Sequence, residues 1–261
     1  MAITTPFNTL FAVPMTCEAC IADISGSLKK LSGIQRVEAN LKDQLVSIEG
    51  TAAPSAIVSA IQATGRDAIL RGSGGSNNAA VCILETHATS VSDRVKGLAR
   101  MVQVSPNLTL IDLTIRGLSP GSYWATIRET GDISDGAVST RGIWSDPKEG
   151  ALKPRGFLGS VQVGKDGEGS VFIDKPIKIW EMIGRGMVVS KQHEGEAKFE
   201  KNDNDTLVGV IARSAGVWEN DKTVCSCSGK TLWEERKDEV KKEHTEQSEL
   251  RAQADSGDFN R

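Results

Sequence analysis

Four of the five cysteines in this 261-residue chain fall in two close pairs. The first lies in Met15-Thr16-Cys17-Glu18-Ala19-Cys20, the second in Cys225-Ser226-Cys227. Two thiolates three positions apart can converge on one ion without enclosing it, which suits Cu(I), a soft ion that prefers sulfur. The same spacing serves a dithiol redox pair. Structural zinc usually needs four closed ligands, and no second CxxC or paired His lies near Cys17 to complete the set. Two incidental cysteines are the plain alternative. In Cys225-Ser226-Cys227 a disulfide within the pair is strained by its own geometry, and strained disulfides are labile and oxidising. A thiolate pair there can equally capture Cu(I). Cys82 stands alone in an apolar run and reads as a buried structural thiol.

The first pair needs a strand, a loop and a helix to hold it. Leu10-Phe11-Ala12-Val13-Pro14 is an extended apolar run, and Ile21, Ile24 and Leu28 recur at helical spacing. The cysteines therefore sit on the loop between, with Cys20 near the helix start, where unpaired N–H groups and the macrodipole stabilise a thiolate. After Gly33, Ile34 to Asn40 and Gln44 to Ile48 alternate weakly about a Lys42-Asp43 turn. Ala53-Pro54-Ser55 opens a second helix with Ile57, Val58 and Ile61 inward; Gly65 ends it, and Ala68-Ile69-Leu70 closes the unit as a strand. The order βαββαβ is ferredoxin-like.

Composition bounds the rest. With 31 basic and 34 acidic residues the net charge is −3, so no basic excess argues for nucleic acid or anionic lipid. No apolar run approaches the roughly 18 residues of a membrane span, so stable membrane insertion is not expected. The first residues carry neither a basic nor an apolar region of a signal peptide. Five cysteines, four of them in two close pairs, read as thiol chemistry in a reducing compartment, and the expected location is cytoplasmic.

The M-x-C-x-x-C of Met15 to Cys20 on a strand-loop-helix resembles the heavy-metal-associated domain of small copper chaperones and copper-pump N-termini. A thioredoxin-like oxidoreductase is the alternative, although Glu18 and Ala19 replace that family's Gly-Pro and no Trp precedes Cys17. The resemblance implies that Arg66 stands where the heavy-metal family often carries a Lys beside the metal loop, offsetting the charge of a bis-thiolate Cu(I) centre. A solvated surface role serves Arg66 equally well. The expected organisation is a metal-binding domain over 1–72, a Gly/Ser/Asn linker over 73–78, a second domain over 79–218 and a C-terminal segment over 219–261.

From Ala79 to about Val217, short apolar runs (Val81 to Leu84, Leu98 to Val104, Leu108 to Ile115, Tyr123 to Ile127, Leu158 to Val163) alternate with Gly, Pro, Asn and Asp turns. That texture indicates an antiparallel Greek-key β-sandwich or barrel. Gly117-Leu118-Ser119-Pro120-Gly121, Glu129-Thr130-Gly131-Asp132, Ile183 to Val189 and Gly209-Val210-Ile211 together resemble Cu,Zn superoxide dismutase. A dismutase of that family holds its metals mainly with histidines, and this chain has only His87, His193 and His244. The dismutase phrase Gly-x-His-Gly-Phe-His-Val-His-Glu corresponds to Gly121 to Glu129, so Thr126 and Arg128 stand where two copper ligands belong. Ser190 replaces a third. Phe157 and Ser160 occupy zinc-loop places, and Ala137 and Val208 stand at the positions of the family's disulfide. No dismutase activity is expected from such a domain.

A fold kept without its active site can keep its surface. The resemblance implies docking through the two-fold dismutase interface, here Gly131, Ile183, Gly184, Arg185, Gly209 and Val210, because such an interface accepts a homologous subunit. Head, dismutase-like domain and flexible CxC tail together resemble the copper chaperones for Cu,Zn superoxide dismutase, the fungal branch most. What that family implies is a heterodimer with the apo-dismutase, delivery of Cu(I), and formation of the target's intrasubunit disulfide through Cys225 and Cys227. It also implies a possible homodimer, and a mitochondrial intermembrane-space pool beside the cytoplasmic one. Thr231 to Leu250 is rich in Glu and Lys and is assigned no chemistry.

Overall fold

The first sheet forms where strand and helix patterns alternate. In the computed structural model, which describes residues 5–145, 154–192, 199–200 and 202–217, it comprises β1 (Phe7–Ala12), β2 (Ile34–Asn40), β3 (Leu45–Gly50) and β4 (Ile69–Ser73). The strand order is β2-β3-β1-β4, all antiparallel. Helices α1 (Glu18–Leu28) and α2 (Pro54–Gln62) follow β1 and β3, giving the expected βαββαβ order. Cys20, Ile24 and Leu28 recur every four residues and are the buried face of α1. On α2 the buried face is Pro54, Ile57 and Ile61, with Val58 half-buried beside them. Those side chains meet Phe11, Val13, Val46 and Ile48 from the sheet in one apolar cluster.

The second sheet begins at β5 (Ala79–Thr86) and continues through β6 (Val95–Ser105), β7 (Leu108–Ile115), β8 (Gly121–Ile127) and β9 (Phe157–Val163). It ends with β10 (Gly169–Lys175), β11 (Gly186–Ser190), β12 (Leu207–Val210) and the short β13 (Ala212–Arg213). The path β10-β7-β6-β5-β12-β11-β8-β9 brings its two end strands, β9 and β10, back against each other, so the sheet is a nearly closed barrel. Closure protects the strand edges. Alternation along the strands sends Cys82, Leu84, Met101, Ile111, Leu113, Tyr123, Ile127 and Met187 inward to a single core. Strand β10 and the one-turn helix α3 (Ile179–Met182) were not among the runs expected from sequence. In β10 the residues are only half-buried, which weakens the alternation that would reveal it.

The described residues gather into one compact unit. The stretch read as a linker is pinned on both sides: Gly74 N–H donates to Asn8 O at 2.8 Å and Gln103 N–H to Asn78 O at 2.8 Å. Cys225, Cys227 and the charged segment after them lie outside the described residues.

Candidate functional site

Three elements position the thiol pair. Strand β1 ends at Ala12, Val13 and Met15 are buried beneath the turn, and α1 starts at Glu18 with Cys17 as its N-cap in an extended conformation. Met15 works as an anchor: its side chain is buried in the head core, and its carbonyl accepts from Gln44 Nε2 at 3.4 Å. Anchored there, the loop exposes Cys17 and half-turns Cys20 inward, leaving the two sulfurs 3.5 Å apart. Both can reach one ion from the same side.

The surroundings favour the ionised sulfur. The Thr16 backbone and hydroxyl, then the Arg66 guanidinium and the Cys17 backbone, bring the Cys20 thiol down from 9.0 to about 6, against a smaller upward push from burial. Thr16 Oγ1 lies 3.6 Å from Cys20 Sγ. Arg66 is held in place by Asp23 at 3.2 Å and by the Thr64 carbonyl at 3.1 Å. Contact with Cys20 in turn raises the Arg66 pKa. The cation read from sequence thus sits beside the pair. Cys82 is the opposite case: it is fully buried in β5, and burial pushes its thiol up to about 12.

A second constellation forms on the barrel. Gly131 lies where a Cβ would come within 2.2 Å of the Gly184 carbonyl and 3.4 Å of Val210 Cγ1. Gly184 N–H donates to Ile211 O, and Ile211 N–H to Arg185 O, both at 2.9 Å. Gly131, Gly184 and Arg185 are therefore neighbours through their backbones, with the Val210 side chain against Gly131 and Ile183 adjoining. Arg185 is fixed by the Glu181 and Glu129 carbonyls at 2.8 and 2.9 Å and lies 4.3 Å over the Trp144 ring. Beside it runs an open groove of about 520 Å³, lined by Glu129, Trp144, Trp180, Glu181, Ile183, Gly184 and Arg185.

Gly209 does not join that surface. It is buried on β12, where a Cβ would come within 1.9 Å of Ile83 O and 2.8 Å of Cys82 Sγ. Its smallness serves the close approach of β12 to β5, so the docking contact expected of it is withdrawn. Trp180 was missed. Ile179 and Met182 turn inward from α3, which leaves Trp180 outside and 65% exposed at the rim of the groove. The inward spacing of Ile179 and Met182 around it was the available signal.

On the outer face of β8 and β11, opposite the core, the positions where the dismutase resemblance puts metal ligands bond to protein groups. Thr126 Oγ1 donates to Val188 O at 3.3 Å, and the Ser190 and Thr206 hydroxyls pair at 2.9 Å. Buried Arg128 donates through Nε to Thr140 Oγ1 at 3.2 Å and through Nη2 to Arg141 O, with its guanidinium 5.2 Å over Phe199. Ala137 and Val208 share a small apolar cluster with Val188. Among the described residues no group of three or more His, Cys, Asp or Glu is placed to hold a metal.

Comparison with known proteins agrees with this division. The heavy-metal-associated domain model matches residues 9–67, and the copper/zinc superoxide dismutase (SODC) model matches 95–215. The "Superoxide dismutase 1 copper chaperone" of Debaryomyces hansenii is 44% identical over 92% of this chain and 98% of its own. The protein of the same name from Saccharomyces cerevisiae is 42% identical over 89% and 95%. The Homo sapiens "Copper chaperone for superoxide dismutase" is 34% identical over 87% and 88%.

This chain belongs to the family of copper chaperones for superoxide dismutase. As a member of that family it carries Cys17 and Cys20 inside the heavy-metal-associated match and the Trp180 groove inside the dismutase match. Cys225 and Cys227 follow the dismutase match and belong to neither.

Proposed function

We propose that the chain binds copper as Cu(I) through Cys17 and Cys20, docks on immature Cu,Zn superoxide dismutase and hands the ion over, acting as a metallochaperone and not as an enzyme. One observation carries this reading: a paired thiol centre 3.5 Å across stands in the same chain as a dismutase-like barrel, which by the resemblance carries Thr126, Arg128 and Ser190 in place of metal ligands. The low pKa of Cys20 keeps a sulfur ionised at neutral pH without further activation. With no third ligand beside the pair among the described residues, the centre is open. That favours a soft ion of low coordination over structural zinc and leaves room for an incoming thiolate to displace a leaving one.

The groove side of the barrel, with Trp180, Ile183, Gly184 and Arg185, is the proposed docking face, and the partner a dismutase subunit in a heterodimer. Two copies of this chain can use the same face as a homodimer when no dismutase is present. Cys225 and Cys227 are proposed to act after docking. A target thiolate attacks their disulfide, and the mixed disulfide resolves when the target's second thiolate displaces the tail. The target is then oxidised and the tail reduced. The proposed location is the cytoplasm; among the described residues no helix is long and apolar enough to cross a membrane.

Neither family model that matches is of thioredoxin type, which leaves that alternative without support. The test mixes the Cu(I)-loaded chain with metal-free, reduced dismutase and follows complex formation and dismutase activity. Cys17→Ser with Cys20→Ser should preserve the complex and abolish copper transfer. Undiminished transfer by that variant refutes the assignment.

A further inference from the structure

Helix α2 has no N-terminal cap of its own. Its N-cap is Ala53, whose side chain has no acceptor, and Pro54 supplies no N–H. The first N–H that needs a partner is that of Ser55, and it donates to Asp112 Oδ2 at 2.8 Å. The Ser55 hydroxyl donates to the other oxygen of the same carboxylate at 2.7 Å. Asp112 does not belong to the head. It lies in the middle of β7, on the barrel, paired in register with Arg100, whose Nη1 is 3.5 Å from Oδ2. Asp112 is 1% exposed.

A carboxylate is stable in such a place only when it is paired and hydrogen-bonded. Here two of its hydrogen bonds come from one residue, Ser55, at the start of a helix of the head. The surroundings are apolar and small: Phe7 from β1 packs with Val102 and Leu110, and Val104 and Phe172 adjoin. Strand β4 adds to the seam through its outer edge, where Ser73 N–H donates to Ala215 O at 3.4 Å and Val217 N–H to Gly74 O at 2.9 Å. The segment after β13 approaches β4 closely there, since a Cβ on Gly72 would come within 2.2 Å of Gly216 O.

Every one of these contacts lies at the same end of the head. Phe7 opens β1 and pairs with Gly50, Thr9 pairs with Ser73, and α2 starts just after β3. The metal loop follows Ala12 at the other end of β1, with Arg66 beyond the far end of α2. At about 3.4 Å per residue, β1 alone separates the two ends by roughly 17 Å.

We propose that Asp112 is a positioning residue: it caps α2 from the barrel, and by doing so it fixes the head in one orientation, with Cys17 and Cys20 at the end remote from the seam. Both carboxylate oxygens accept from Ser55 at this helix start, a directional pairing that selects an orientation the apolar contacts alone do not specify. The assignment rests on the seam and not on the copper reading, and its test uses no copper.

The experiment is 15N relaxation on the full metal-free chain, which gives separate rotational correlation times for the head and the barrel. In the native protein the two should agree. In Asp112→Ala the shared value should be lost, the head reorienting faster than the barrel, and the Ser55 amide should lose its protection from hydrogen exchange. Asp112→Leu, which fills the space and removes both acceptors, gives the same reading if the Ala variant does not fold. The decisive variant is Ala53→Ser with Asp112→Ala. The extended backbone of residue 53 lets a serine there cap the helix locally. Ser55 protection should then return while the head stays uncoupled. Three outcomes would overturn the proposal: unequal correlation times in the native chain, equal ones in Asp112→Ala, or recoupling in the double variant. The last would mean that Asp112 acts only on helix stability.

Discussion

Replacing Trp180 by Ala tests the docking face with little disturbance of the fold. A tryptophan buries about 150–250 Å² when fully covered, and Trp180 is 65% exposed in the free chain, so docking can remove roughly 100–160 Å² more. At about 25 cal/mol per Å² this is worth about 2.5–4 kcal/mol. Truncation at interface hot spots commonly costs 2 kcal/mol or more. The expected loss is therefore about 2–4 kcal/mol, a weakening of Kd by roughly 30- to 800-fold. Because the side chain projects from a short helix whose inward residues are Ile179 and Met182, folding should change by no more than about 0.5 kcal/mol. For a chain of this size that is about 1–2 °C in Tm. Titration calorimetry against metal-free dismutase measures the first quantity and a thermal melt the second. A Kd within about threefold of native, roughly 0.7 kcal/mol, would refute the assignment of this face. Gly184 is the poorer probe. It has φ of +80° with nothing near its missing Cβ, so any side chain there is accommodated in space but strained in backbone. That strain, about 1–2 kcal/mol, would weaken folding and docking together.

The remaining expectations concern the thiols and one acid. The rate of Cys20 alkylation in the metal-free chain should rise through an inflection near pH 6, and Arg66→Ala should move it upward, because the guanidinium is one of the groups that favour the thiolate; an unmoved inflection removes Arg66 from the loop's chemistry. Asp205 is pushed up by partial burial, but the Ser119 hydroxyl and N–H and then Lys191 outweigh this and bring it from 3.8 to about 2. Its contribution to stability is complete above the unfolded value near 4 and is lost as pH falls through about 2. The Tm gap between the native chain and Asp205→Asn should therefore be wide at pH 6 and close by pH 2, and a gap independent of pH contradicts the pairing. Cys225→Ser with Cys227→Ser should bind apo-dismutase normally yet fail to yield its disulfide-bonded, active form. Full activation by that variant under limiting copper would end the proposed role of the tail.

Much of the head was legible because one face of each element is buried and the other is not. Ile24 and Leu28, and Ile57 and Ile61, keep helical spacing, and the M-x-C-x-x-C could then be placed on a loop between β1 and α1. Arg66 illustrates the limit. Its side chain reaches Cys20 only because the end of α2 folds back beside the start of α1, a juxtaposition that linear spacing does not carry. Trp180 hid for a related reason: an aromatic residue in an apolar stretch is usually core, and only the brevity of α3 turns it outward. Gly209 erred in the other direction. A glycine in an interface phrase looks like part of the surface, whereas here its missing side chain makes room for Ile83 O and Cys82 Sγ. The seam was wholly illegible, since Ser55 and Asp112 are 57 positions apart and neither has an unusual neighbour in sequence.

If Thr126, Arg128 and Ser190 stand at ligand positions, as the dismutase resemblance implies, one chain can carry both a copper site and a dismutase fold. An intact set of histidines there would compete for the cargo with the thiol pair and trap it. Losing ligands alone would leave a polar cavity, and buried polar groups without partners are costly. Each replacement has a partner of its own: Thr126 has the Val188 carbonyl, Ser190 has Thr206, and Arg128 has the Thr140 hydroxyl and the Arg141 carbonyl. Arg128 goes further, because a fixed cation repels any metal ion that approaches the same position. These substitutions retain the packing of β8 and β11 that leads into Gly186 and the Ile183-Gly184-Arg185 turn, and with it the shape of the proposed docking face. Held by these hydrogen bonds, the barrel keeps the proposed docking face without needing a metal ion at those positions.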